Sequence, residues 1–225
     1  RTDRAVVRAL SDLPPDATIL DYGCGVGRIL SAAGRLTKSF GIEINSRSAD
    51  IARSKGIQIL HELDLAGSLH GSLDAIILSD VYEHLVHPMQ TLQLLVGCLK
   101  PNGRLIIATG NAEAFPRVPR FGEYWYFQLP GHLQVLCPSH VNWFAEQLGL
   151  QVSSLERMSH YDVSFTSRIA QNLRLWAYEQ FRSPSNTLLK AILKFVPVIN
   201  RAANWRSAPG VTHNPDHLVI VLKKP

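Results

Sequence analysis

Short apolar runs alternate along this chain with segments whose apolar residues recur at helical spacing. Residues 18–22, 39–43, 58–61, 73–78 and 104–109 read as five strands, with helices at 27–36, 46–55 and 89–99 between them. A helical run comes first and gives out at Pro14-Pro15. The strands lack strict period-two alternation, so the pattern predicts a parallel sheet covered by helices on both faces. A Pro-Asn-Gly turn at 101–103 feeds the fifth strand. Residues 111–137 are loop-like, with Pro116, Pro119, Pro130 and the aromatics Phe115, Phe121, Tyr124, Trp125, Tyr126 and Phe127. A capped helix at 138–148, stopped by Gly149, leads to a sixth strand at 151–158. Helical patterning returns at 168–181 and 188–195, and the apolar run 217–222 reads as a closing strand.

The first strand runs into a glycine-rich bend, Ile19-Leu20-Asp21-Tyr22-Gly23-Cys24-Gly25-Val26-Gly27. Glycines there admit positive φ and let a ligand approach the backbone, and helix amides follow directly. The spacing departs from the G-x-G-x-x-G of dinucleotide sites, and Asp21 would repel a pyrophosphate while attracting a cation. The stretch from Asp21 to Gly27 resembles the first motif of the class I S-adenosylmethionine-dependent methyltransferases, whose donor offers an ammonium and a sulfonium. Glu43, about 20 residues further on, ends the second strand where a carboxylate can accept both ribose hydroxyls. The order and spacing of all five strands follow the same pattern as far as Thr109.

The resemblance implies an α/β fold: a Rossmann-like, mostly parallel seven-stranded sheet with helices on both faces, its last strand antiparallel. Residues 159–213 then form a helical insertion between the sixth and seventh strands. It also implies donor contacts, with Asp21, Gly23, Cys24, Gly25 and Gly27 around the methionine part and Glu43, with Ile44 beside it, at the ribose. Asp64 and Leu65 would meet the adenine, and Ser79, next to Asp80, would stand near the sulfonium. Asp64 reads equally as a helix cap or turn residue. The aromatic loop falls over the methyl-donor end, as a substrate wall or as a small core that clamps the loop itself.

Methyl transfer needs an acceptor held in line and, for an oxygen or nitrogen nucleophile, somewhere for its proton to go. The cluster Ser79-Asp80-Val81-Tyr82-Glu83-His84-Leu85 resembles a region of the ubiquinone-pathway O-methyltransferases that is associated with a divalent metal. Asp80, Glu83 and His84 match that spacing, but Asp80 is shorter than the Glu typical there, and a metal-free role is favoured. His84 can instead act as a base. His132, in Pro130-Gly131-His132-Leu133, is the second base candidate, and its other reading is a structural hydrogen-bonding residue. Tyr124 and Tyr126 are further candidates to touch substrate, and His87 reads as a helix-entry residue. The leading expectation is methyl transfer from S-adenosylmethionine to the oxygen of a small molecule. The alternatives are an RNA methyltransferase and a non-catalytic, cofactor-binding partner protein.

Composition narrows the class further. At 225 residues and 46% hydrophobic content the chain can bury one sizeable core as a single domain. Its three cysteines have no disulfide or metal-ligand spacing. No export segment and no membrane-length apolar run is visible, which makes cytoplasmic the default location, and the abrupt start at Arg1 suggests missing upstream sequence. Residues 157–225 hold ten Lys or Arg against three acids, net +7, whereas residues 1–156 are net −2. A basic tail of this kind fits a lid on the cleft, a membrane-surface or partner face, or a nucleic-acid platform. Oligomeric state is not legible.

Overall fold

The expected strands all form: β1 Ile19–Tyr22, β2 Ser39–Ile42, β3 Gln58–Ile59, β4 Leu73–Ser79, β5 Leu99–Gly110, β6 Gln151–Met158 and β7 His217–Lys223. The computed structural model describes residues 1–34, 38–62, 65–117, 126, 129–159, 162–183, 187–195, 201–205, 209 and 215–225. The strands make one sheet in the order β3-β2-β1-β4-β5-β7-β6. β1 to β5 run parallel, and β7 is inserted antiparallel between β5 and β6.

Both faces of the central strands are buried, which is why their sequences are apolar without alternation, whereas the edge strand β6 is largely exposed. On one face Ile19, Ala75, Ile77, Ile106 and Val219 pack against α1 (Thr2–Ala9), α2 (Arg28–Ala32) and α3 (Ser46–Ser54). On the other, Leu20, Ile76, Leu78, Leu105 and Ile220 meet α4 (Leu65–Ser68), α5 (Pro88–Cys98) and α6 (Val141–Gln147). His87 stands at the N-terminal boundary of α5 without a side-chain capping bond, and Pro88 begins the first turn.

Two local departures from the sequence pattern have clear causes. α2 ends early because Gly34 takes a left-handed conformation. The Pro-Asn-Gly turn does not precede β5 but lies within it as a bulge. Leu99 pairs with Leu73 and Arg104 with Ala75, so residues 100–103 are extruded, with Asn102 at φ 65°. Lys224 clamps the bulge, its carbonyl accepting from Asn102 N–H and its N–H donating to Gly103.

The antiparallel β7 has a functional consequence. Its first residue, His217, pairs with Gly110 at the end of β5 and with Met158 at the end of β6. The insertion, with helices α7 (Phe165–Arg182) and α8 (Thr187–Leu193), therefore leaves and re-enters the sheet at its carboxyl edge.

Candidate active site

The carboxyl ends of β1 and β4 enclose a cleft of about 310 Å³, lined by Asp21, Gly23, Gly25, Ser48, Ser79 and Asp80 among others. Gly23 has φ 81°, and a Cβ there would lie 2.4 Å from Val81 Cγ2, so both conformation and space require glycine. Gly25, at φ 53°, has nothing within 4 Å of its missing Cβ, which leaves the backbone open to a ligand. Gly27 caps α2 from a left-handed conformation. Cys24 lines the same cleft and tucks its sulfur against the bare Cα of Gly41. Burial, with Asp21 and Glu43 close by, pushes its thiol up to about 12, so it acts as filler and not as a nucleophile.

Asp21 forms the floor of the cleft and is buried. Desolvation, and then repulsion from Asp3 and Glu43, raise its carboxyl to about 7. The Glu43 carboxylate spans the bend, accepting from Gly25 N–H at 2.8 Å and from Asn45 N–H at 2.7 Å. Ile44 beside it is fully exposed. Ser79 closes β4, and Asp80 follows in a left-handed conformation (φ 55°) with its N–H donated to Ala108. The Leu65 side chain is buried in the core, so only its backbone is available to a ligand. Asp64 lies outside the described residues. Arg28 also lines the cleft but is paired with Asp3 at 2.7 Å, so the buried acid and the bare glycine wall suit a donor with cationic ammonium and sulfonium groups better than a phosphate.

Beyond β4, a 3₁₀ turn at Tyr82–His84 carries the second group of residues. Glu83 is buried and accepts from Thr109 Oγ1 at 2.9 Å. His84 Nδ1 lies 2.9 Å from the Gly131 carbonyl oxygen, so Nδ1–H donates to it and Nε2 is left for another partner. The Gly131 loop is held by Leu133 N–H to Glu83 O and by the Gln134 amide to Tyr82 O. It brings the His132 ring within 4.8 Å of His84 and 4.2 Å of Tyr126, centroid to centroid. His132 Nδ1 is buried without a hydrogen-bond partner among the described residues. Burial lowers the pKa of this imidazole and so favours its neutral form, against the opposing pull of Glu83.

Single ligand atoms of Glu83, His84 and His132 all fall within 4.8 Å of one another. Asp80 is not part of that group, its Oδ1 lying instead 3.8 Å from His217 Nε2. His217 is itself buried, with Asp216 Oδ1 3.0 Å from its Nδ1. The sequence reading omits Asp216, His217 and Thr109. An acid-His pair at the start of the closing strand is the one available signal, and it acquires meaning only once β7 is antiparallel. Tyr126 is fully buried: its ring covers Gly110 and its hydroxyl accepts from Gly110 N–H at 3.2 Å. It thus backs His132 instead of facing solvent. Phe121, Tyr124, Trp125 and Phe127 lie outside the described residues, as do the side chains of Phe115 and Pro116.

A family model of the methyltransferase domain matches residues 1–155. The ubiquinone biosynthesis O-methyltransferase of Xanthomonas axonopodis pv. citri is 27% identical over 160 residues, 64% of this chain and 67% of that protein. Its counterpart from Xanthomonas campestris pv. campestris is 30% identical over 106 residues, 43% of this chain, and the match spans 44% of that relative. The fold resembles the crystal structure of a SAM-dependent methyltransferase from Archaeoglobus fulgidus, with a TM-score of 0.59 at 18% identity, covering 99% of this chain and 94% of that one. With well over half its length matched to the family and an acid-floored glycine cleft at the carboxyl ends of the strands, the chain belongs to the class I S-adenosylmethionine-dependent methyltransferases.

Proposed function

We propose that the protein methylates a hydroxyl oxygen on a small molecule with an apolar body, and that His132 accepts the hydroxyl proton. The observation that carries this reading is the partnerless, buried Nδ1 of His132. A buried acceptor without a donor is costly, by about 1–3 kcal/mol, and an acceptor hydroxyl would relieve that cost by donating to it. Val86, Leu129 and Leu133 are exposed on the same two segments that hold His84 and His132, which sets apolar side chains beside the pair.

S-adenosylmethionine, when bound, supplies an electrophilic methyl whose departure leaves a neutral thioether. The protein's residues do the rest. Asp21 and the glycine bend hold the donor's cationic end, while Glu43 faces the bend from β2. His132 takes the proton as the oxygen attacks, and the buried Glu83 carboxylate favours the imidazolium that results. Tyr126, covering the ring of His132, keeps water from that side.

Glu83, His84 and His132 also have the dimensions of a divalent-cation site. Glu83 meets Thr109 through Oε2 and His84 meets Gly131 through Nδ1, which leaves Glu83 Oε1 and His84 Nε2 as ligand atoms, so chelation is the arm of the test that separates the two readings. The test is a mass-spectrometric methylation assay over hydroxylated aromatic and aliphatic acceptors. His132→Asn is expected to lower kcat by ~10²–10⁴ while S-adenosylhomocysteine binds as before. Full turnover by the variant would remove His132 from the mechanism, and turnover abolished by chelation alone would favour the metal reading.

A further inference from the structure

The insertion between β6 and β7 leaves and re-enters the sheet at its carboxyl edge, and one side of its long helix is uncovered. Along α7, Phe165, Ile169, Leu173 and Trp176 follow at intervals of four, four and three residues, which puts them on one stripe. Their exposures are 76%, 46%, 55% and 39%. Ala177 and Tyr178 point away from this stripe and are the helix's buried residues. Ile192 and Phe195, at the end of α8 and just beyond it, are exposed as well, next to Lys190 and Lys194. Four large apolar side chains in line are costly to leave in water.

The charge around the stripe favours one kind of partner. Arg168, Arg174 and Arg182 share α7 with a single acid, Glu179, and residues 159–213 hold seven Lys or Arg against two acids, net +5; of these, Arg182 is held by the Trp205 carbonyl and the Tyr178 ring. A nucleic acid would use the cations but not an aliphatic ridge. A protein partner would use the ridge but gives no reason for so one-sided a charge. An anionic lipid surface uses both, the ridge entering the acyl boundary and the guanidinium and ammonium groups remaining among the headgroups. No helix of the described residues is long and apolar enough to cross a membrane.

We infer that α7 and α8 form a peripheral docking face for an anionic lipid bilayer, with the exposed side chains of Val86, Leu129 and Leu133 on the same carboxyl side of the sheet. The inference does not depend on which atom is methylated. It is tested by sedimenting the intact protein with vesicles of phosphatidylglycerol and phosphatidylcholine in equal parts, and with phosphatidylcholine alone. Partitioning should favour the anionic vesicles by ~10-fold at low ionic strength and fall as salt is added. Ile169→Asp and Leu173→Asp, both at exposed positions, should each reduce it by ~10-fold or more with S-adenosylhomocysteine binding intact. No partitioning of the wild type, or equal partitioning of the Asp variants, overturns the inference. So does a dimer in solution that the same substitutions split, since the stripe would then cover a second copy of the chain.

Discussion

Asp21 is placed for ligand binding at the expense of stability. Its carboxyl, ordinarily near 3.8, rises to about 7 because it is buried beside Asp3 and Glu43. The folded protein therefore holds this proton more tightly than the unfolded chain, and stability falls as pH rises from about 4 to 7. A ligand ammonium stabilises the carboxylate, so binding expels the proton wherever the free protein still carries it. Affinity for S-adenosylhomocysteine should drop ~10-fold for each pH unit below 7 and level off above it. Asp21→Asn should bind weakly at every pH, yet be more stable than the parent at pH 8 by ~1–3 kcal/mol, because a charge is no longer buried. Calorimetric titrations between pH 6 and 8, with thermal denaturation of both proteins, read these effects. A flat affinity profile for the parent would mean that Asp21 does not face the donor's cation. The acid before the glycines is legible from neighbouring letters alone. Its burial is not, because two of the groups that raise its pKa arrive from α1 and the end of β2.

At the level of elements, β1, β2, β4, β5 and β7 are legible because each carries an apolar run that the sheet buries on both sides, whereas β6 is largely exposed and shows only between a glycine stop and the insertion. What the runs do not carry is which residues meet across the sheet's end. Gly110, the last residue of β5, looks unremarkable in sequence, yet a Cβ there would lie 2.3 Å from the Tyr126 ring. Tyr126 in turn packs on His132, so β5, the 126 segment and the 131–134 loop fit together only if position 110 is bare. Gly110→Ala should destabilise the fold by ~1–3 kcal/mol through overpacking. It should also lower turnover by displacing Tyr126 from His132, with donor affinity unchanged because the cleft lies beyond β4. Denaturant melts combined with kcat and S-adenosylhomocysteine titrations test this, and a variant that melts early but turns over normally would detach Tyr126 from the chemistry. Asp216 and His217 are hidden for a related reason. Their partner Asp80 is far away in sequence, and only the register of β7 against β5 brings them together.

For the molecule as a whole, the charge division is visible by counting, whereas its position is a matter of topology. The family match ends at residue 155, but the sheet is closed by β7, whose residues His217 to Leu222 are buried between β5 and β6. The intervening helices bury Ala177, Tyr178, Leu193 and Ala202, none of which belongs to the clusters on either face of the sheet. Fold and insertion are therefore separable. Met158 pairs directly with His217, so Ser159 and Pro215 stand close enough for a turn of about 4 residues to replace everything between them. Such a variant loses the ion pairs from Arg1 and Arg4 to Asp162, which are exposed and worth ~1 kcal/mol or less each. It should unfold cooperatively and bind S-adenosylhomocysteine within ~3-fold of the parent, since none of the described residues that line the donor cleft lies in the excised part. Its partitioning onto phosphatidylglycerol vesicles should disappear. Loss of donor binding would instead make the insertion an integral wall of the cleft, and retained vesicle binding would move the lipid contact to the sheet domain.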